Sequence, residues 1–317
     1  MVLHLTALLL VVGFAFLTIG ANMLCDSVIH IAHKLHVGPI AGILLMSMVT
    51  SAPDFMSSVM AILNGNPDMP IGNILGSNFI NLTLGFGVAS LITPFQCEKK
   101  VTKVEFPLLF LLTLFFTFCC ANGKLSRGEG IALLVVFCCY IFFTFAKKKP
   151  DVCIDVKNTD TGFNVWTTKK SVLVFLTAAS LLAYGSNLVV NHCREIADFF
   201  KIPKIVIGFS LVALQTSAPE IFVVAMAAKR RDYTICAGNI LGSSLINLMF
   251  VSGLCAAVYP LHFEKNIFMK NATALIFVTA LDWYIFYKKR IFSRIYGVIL
   301  VVTYLVVTLN SVLVKDI

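Results

Sequence analysis

Long apolar runs separated by short polar breaks set the pattern of this chain. Runs long enough to cross about 30 Å of hydrocarbon, at about 20 residues each, fall at roughly 5–28, 38–63, 71–95, 105–121, 129–146, 171–192, 203–228, 235–260, 268–287 and 291–314. They predict ten helices. The longest polar interruption, 147–170, begins Lys147-Lys148-Lys149-Pro150 and ends Thr168-Lys169-Lys170, dividing them five and five into units 1–146 and 171–317. At that length it is a connector, too short for a domain of its own. The first run lacks a basic leader and carries Asn22 and Asp26 where a cleavage site would need small residues, so it reads as a helix rather than a signal peptide.

Polar positions inside these runs repeat. Thr50-Ser51-Ala52-Pro53-Asp54 and the later Gly72-Asn73-Ile74-Leu75-Gly76-Ser77 recur as Thr216-Ser217-Ala218-Pro219-Glu220 and Gly238-Asn239-Ile240-Leu241-Gly242-Ser243, always 166 positions on. The register continues through Ile80-Asn81-Leu82 and Ile246-Asn247-Leu248. A fainter echo, Gly20-Ala21-Asn22 against Gly185-Ser186-Asn187, extends the duplication to the whole five-helix unit. Five spans separate equivalent points, an odd number, so the second copy is expected upside down relative to the first. The predicted fold is an all-α polytopic membrane protein of ten transmembrane helices in two inverted five-helix repeats.

Composition agrees: 58% of the 317 residues are hydrophobic and 13% charged, and mean hydropathy is +0.89. No soluble domain of this size has that balance. The net charge of +9 does not indicate nucleic acid, because the basic residues form short clusters between apolar runs. They act as topology signals. With connector 147–170 cytoplasmic, 17 of the 25 basic residues lie on that side and both termini face away from it. A short N-terminus and a minimal connector point to a plasma (inner) membrane of a prokaryotic kind. The ten cysteines show no disulfide or zinc spacing and read as free buried thiols. No nucleophile with its base and no phosphate-binding loop is present, so an intramembrane enzyme is disfavoured.

The repeated motif carries chemistry. Thr50 lies about 18 Å into its helix, near mid-bilayer. Pro53 has no amide hydrogen and releases the carbonyls around Val49 from the helical ladder; Pro219 does the same at Gln215. Asp54 and Glu220 follow directly, each an acid in an apolar segment, where a charge is costly and usually functional. Asn73, Ser77 and Asn81, with Asn239, Ser243 and Asn247, form polar stripes at i, i+4 and i+8. The glycines beside them allow close helix approach. Carboxylates, hydroxyls, amide oxygens and freed carbonyls are hard ligands that suit Ca²⁺ or Na⁺. Once Ca²⁺ leaves, the same acids can hold Na⁺ or take protons. Asp26, His30, His33, Glu195, Asp198 and Asp282 read as interfacial or pairing residues.

With these residues assembled, the chain resembles the sodium/calcium exchanger family of the cation/calcium antiporter superfamily, whose alpha-repeats carry T-S-x-P-[ED] and G-N-x-x-G-S. The resemblance covers essentially the whole chain and places the alpha-repeats at 42–87 and 208–253. It implies that Asp54 and Glu220 are the central Ca²⁺ carboxylates. It further implies that Thr50, Ser51, Ser77, Asn81, Thr216, Ser217, Ser243 and Asn247 line Ca²⁺ and Na⁺ sites, with backbone carbonyls from Ser47 and Ala213. Two departures stand out: the first acid is Asp rather than the commoner Glu, and both stripes end in Asn where many sodium-coupled members have one Asp.

The expected function is antiport of Ca²⁺ against monovalent cations, Na⁺ foremost, by alternating access and with no prosthetic group. Ca²⁺/H⁺ exchange is the alternative within that class; a cation channel or a non-transporting scaffold is the alternative outside it. The expected partners are the transported ions and the lipid bilayer.

Overall fold

The computed structural model describes residues 2–34, 39–67, 69–96, 101–146, 167–199, 204–289 and 291–313. The connector expected at 147–170 therefore lies, up to residue 166, outside the described residues. Apart from four two-residue strands, the described elements are helical.

The first half begins with α1 (Val2–Lys34), then α2 (Pro39–Thr50) and α3 (Ala52–Leu63), which meet at Ser51 with a bend of 40°. Pro53 sits in the first turn of α3, where its missing N–H costs nothing to that helix but cannot serve the turn before it. Next comes α4 (Met69–Ile80), running through a π-helical turn at Asn81–Gly85 into α5 (Phe86–Ile92). A second π-turn, Val101–Glu105, leads into α6 (Phe106–Cys119), and α7 (Arg127–Ala146) closes the half.

In the second half α8 (Thr168–Phe199) precedes α9 (Lys204–Lys229), which continues through Pro219 without breaking. The two proline motifs thus differ: the first breaks its helix and the second does not. Then α10 (Tyr233–Ile246) passes through a π-turn at Asn247–Val251 into α11 (Ser252–Val258), followed by α12 (Lys265–Lys289) and α13 (Arg294–Leu313). Both stripe-ending asparagines, Asn81 and Asn247, open a π-turn. Such turns loosen the carbonyl ladder where they occur and are common at functional sites.

Short strands tie the halves. β1 (Phe95–Gln96) pairs antiparallel with β4 (Ile291–Phe292), and β2 (Lys124–Leu125) with β3 (Leu261–His262). Phe86, Phe95, Phe106, Phe286 and Phe292 form a buried aromatic plug beside the first pair, with Phe286 and Phe292 centroids 4.0 Å apart. The long helices α1 and α8 pack together through close approaches at Gly13 and Gly185. At the α9–α10 turn, Arg230 Nη1 donates to Asp26 Oδ1 at 2.5 Å and Nη2 to Asn22 Oδ1 at 2.7 Å, pinning α1 to the core.

Among the described residues, five helical stretches are long and apolar enough to cross a membrane: Thr6–Ile31, Met69–Ile92, Arg127–Thr144, Lys169–Val189 and Tyr233–Val258. The bent pair Gly42–Thr50 plus Ala52–Leu63 adds a sixth. The other predicted spans are helical too, but α6 has 14 residues and falls short of the crossing length. Cys25, Cys119, Cys120, Cys138, Cys139, Cys236 and Cys255 are free, and of these Cys138 and Cys139 are exposed rather than buried.

Candidate functional site

The two repeated motifs meet at the centre of the bundle. Thr50, Ser51, Asp54, Ser77, Asn81, Thr216, Ser217, Glu220, Ser243 and Asn247 are all buried, and Ser47 is buried with them. Ala213 falls in the first half of α9, where its side-chain surroundings lie outside the described residues.

The bonding is reciprocal between the halves. Thr50 Oγ1 donates to Asn239 Oδ1 at 3.3 Å and lies 3.3 Å from Ser243 Oγ. Thr216 Oγ1 donates to Asn73 Oδ1 at 3.3 Å and lies 3.4 Å from Ser77 Oγ. Each threonine therefore reads the stripe of the opposite half. Asn73 and Asn239, which head the stripes, were not among the residues expected to line the site. Their signal was the i, i+4, i+8 spacing itself.

At the acids the symmetry fails. Asp54 Oδ1 accepts from Ser77 Oγ at 2.7 Å and Oδ2 from Asn247 Nδ2 at 2.7 Å. Asn73 Nδ2 and Ser58 Oγ also donate to the Asp54 carbonyl, at 3.1 and 2.8 Å. Glu220 has one side-chain bond, from Ser51 Oγ to Oε1 at 3.2 Å. Glu220 Oε2, Asn81 Oδ1, Asn247 Oδ1 and Ser217 Oγ are buried with no hydrogen-bond partner among the described residues. Leaving such a group unmet costs about 1–3 kcal/mol, so four hard oxygen donors are poised for a ligand that can accept them. A cation such as Ca²⁺ or Na⁺ suits that set.

Pro219 does leave the Gln215 carbonyl free of the helix, but Ser186 Oγ donates to it, and Gln215 Nε2 donates to Asn187 Oδ1 at 2.6 Å. That carbonyl is engaged by α8 in place of an ion. The echo Gly185-Ser186-Asn187 was the sequence trace of this contact. Helix α10 lies hard against α2: a Cβ at Gly238 would come 2.6 Å from Ile43 Cγ2, and one at Gly242 would overlap Ser47 Oγ. The corresponding Gly72 of α4 has nothing within 4 Å of an added Cβ.

The pairing residues behave unevenly. Asp26 pairs with Arg230, and Glu195 with His192 at 2.9 Å and with Thr6 Oγ1 at 2.9 Å. The His192 and Thr6 bonds hold the Glu195 carboxyl below its ordinary pKa. His30 is buried and bonds the Asp26 carbonyl through Nδ1 at 2.8 Å. The side chains of His33 and Asp198 lie outside the described residues. Asp282 is unpaired: it is fully buried, and neither oxygen has a hydrogen-bond partner among the described residues.

A mostly helical bundle with two opposed buried acids in an oxygen-rich shell is the build of a membrane cation exchanger. The sodium/calcium exchanger protein family matches this chain over residues 5–146 and again over 170–313, and the chain belongs to that family. Its members are transporters, not enzymes. The putative antiporter CaxA of Alkalimonas amylolytica is 31% identical over 254 residues, 78% of this chain and 79% of its own. The sodium/calcium exchanger MaX1 of Methanosarcina acetivorans is 28% identical over 292 residues, 80% of this chain and 83% of its own. Among solved structures, the sodium-calcium exchanger NCX_Mj soaked with zero Na⁺ and Ca²⁺ superposes with a TM-score of 0.80 at 24% identity, covering 96% of this chain and 98% of that one. The fold is shared.

Proposed function

We propose that this chain is a secondary antiporter that moves Ca²⁺ against Na⁺ by alternating access, with Asp54 and Glu220 as the carboxylates that hold Ca²⁺. The observation that carries this reading is the pairing of two buried acids from opposite halves in one shell of hydroxyl and amide oxygens. Two carboxylates balance one Ca²⁺, and the unmet oxygens of Glu220, Asn81, Asn247 and Ser217 complete its coordination. Ca²⁺ and counter-ions compete for the same acids, and that competition is the coupling.

In this reading the ten predicted spans form two inverted halves, 1–146 and 171–317, joined by cytoplasmic connector 147–170 in a plasma (inner) membrane, with both termini on the far side. Thr50, Ser51, Ser77, Thr216 and Ser243 orient the acids or ligate the ions, and Ser47 and Ala213 supply backbone carbonyls.

Ca²⁺/H⁺ exchange is the second reading, favoured by Asn81 and Asn247 standing where a third acid would add charge for sodium. One experiment tests both. In proteoliposomes, an imposed Na⁺ gradient is expected to drive Ca²⁺ uptake and a pH gradient alone is not; the reverse result selects H⁺. Asp54→Asn and Glu220→Gln are each expected to abolish Ca²⁺ uptake, and near-normal flux in either variant would sink the assignment.

A further inference from the structure

The Asp54–Glu220 centre leaves one buried acid unused. Asp282 stands on α12, a different helix from any that carries the repeated motifs, and its carboxyl is wholly shielded. Its helical neighbours fix which way this part of α12 faces. Trp283 packs against Phe110 of α6 with centroids 5.6 Å apart, and Phe286, one turn on, lies 4.8 Å from Phe106 and 5.4 Å from Phe86. Thr279, one turn back, is buried and spends its hydroxyl on the Leu275 carbonyl at 2.7 Å. No hydroxyl, amide or base reaches the Asp282 oxygens among the described residues.

Among the described residues, no cation pairs with Asp282. Helix α12 packs against α4, α6, β4 and the π-turns at 81–85 and 101–105; its Phe286 also meets Phe86 of α5 and Phe95 of β1, neither of which carries a titratable side chain, and its Asn271 and Ala274 share a cavity with Tyr304 of α13. Residues 69–85 and β4 contain no titratable side chain; α6 has only Cys119, at its far end, and the 101–105 turn has Lys103 and Glu105. On α12 itself, Lys265 and Lys270 lie at the opposite end from Tyr284, Tyr287 and Lys288, and Lys288 sits over the Tyr284 ring at 5.1 Å. None forms an ion pair with Asp282 among the described residues.

A carboxylate with neither donor nor counter-ion is unfavourable in such a place, and a buried acid relieves that by taking up a proton. A metal ion would need several more oxygens than this site provides. We propose that Asp282 is a proton-binding site inside the membrane bundle, separate from the cation centre: its carboxylate takes up H⁺ to become a neutral acid and releases it again. The neutral acid gains an O–H to donate.

Infrared difference spectroscopy of the full chain in liposomes, between acid and alkaline pH, tests this without any transport. A protonated-carboxyl C=O band is expected that decays as pH rises, is lost in Asp282→Asn and survives in the double variant Asp54→Asn/Glu220→Gln. Identical difference spectra with and without Asp282, or an Asp282 band unchanged at every pH, would overturn the proposal. Asp282→Glu keeps the acid and is expected to move the band; an unmoved band overturns it equally. The antiport reading is judged separately, by flux in the Asp54 and Glu220 variants.

Discussion

Asn247 donates to Asp54 across the junction of the two halves at 2.7 Å, whereas its counterpart Asn81 makes no bond to Glu220. The symmetry of the repeat fails at the acids, so one carboxylate is held and the other is left available. Asn247→Asp would set two carboxylates side by side, and such a pair shares a proton because both cannot ionise together. Ca²⁺ must then displace that proton. Ca²⁺ uptake by Asn247→Asp is expected to rise with pH and to fall about tenfold, or about 1.4 kcal/mol, towards the acid end relative to the parent. A pH profile matching the parent's would rule this out.

The contact between α2 and α10 predicts a one-sided response to added methyl groups. Gly242→Ala drives a Cβ into Ser47 and is expected to destabilise the protein by about 1–3 kcal/mol. Gly72→Ala meets open space and gains helix propensity of about 0.5–1 kcal/mol. Thermal melting in detergent reads both; equal shifts would contradict the asymmetry.

Arg230 ties the α9–α10 turn to Asn22 and Asp26 of α1. Burial works against its charge, but the hydrogen bond and charge of Asp26 outweigh that and hold the guanidinium pKa above its ordinary value. The guanidinium of Arg230 therefore stays charged at any working pH. The paired side chains keep 28% and 22% of their exposure, so their coupling is about 1 kcal/mol, roughly fivefold in a local opening equilibrium. Arg230→Gln is expected to speed deuterium exchange in the α9–α10 turn by that factor while leaving α6 and α7 unchanged. Unaltered exchange at the turn would show the latch to be idle.

Much of this arrangement was legible in the sequence because the repeat is literal. Thr50, Asp54, Thr216 and Glu220 were marked by an exact spacing, and the structure brings them together with the stripes that the i, i+4, i+8 pattern named. Spacing could not tell Pro53, which breaks its helix, from Pro219, which does not, since the outcome depends on whether a neighbour such as Ser186 takes up the freed carbonyl. Nor could it separate Asp282 from Asp26. Both are acids on apolar helices, and only the packing shows that Asp26 meets Arg230 while Asp282 has no hydrogen-bond partner among the described residues.

The crossed threonine bonds also bear on how the chain is made. Thr50 also bonds the Ser47 carbonyl of its own half, but its other partners lie on α10, and Thr216 meets Asn73 and Ser77 on α4, so the bonding of the centre is complete only once both halves are present. During synthesis the first five helices leave the ribosome before α10 exists. Until the later helices arrive, Thr50 and Asp54 must stay wetted or be shielded by the insertion machinery, and assembly of the centre is a late, long-range event in the life of each molecule.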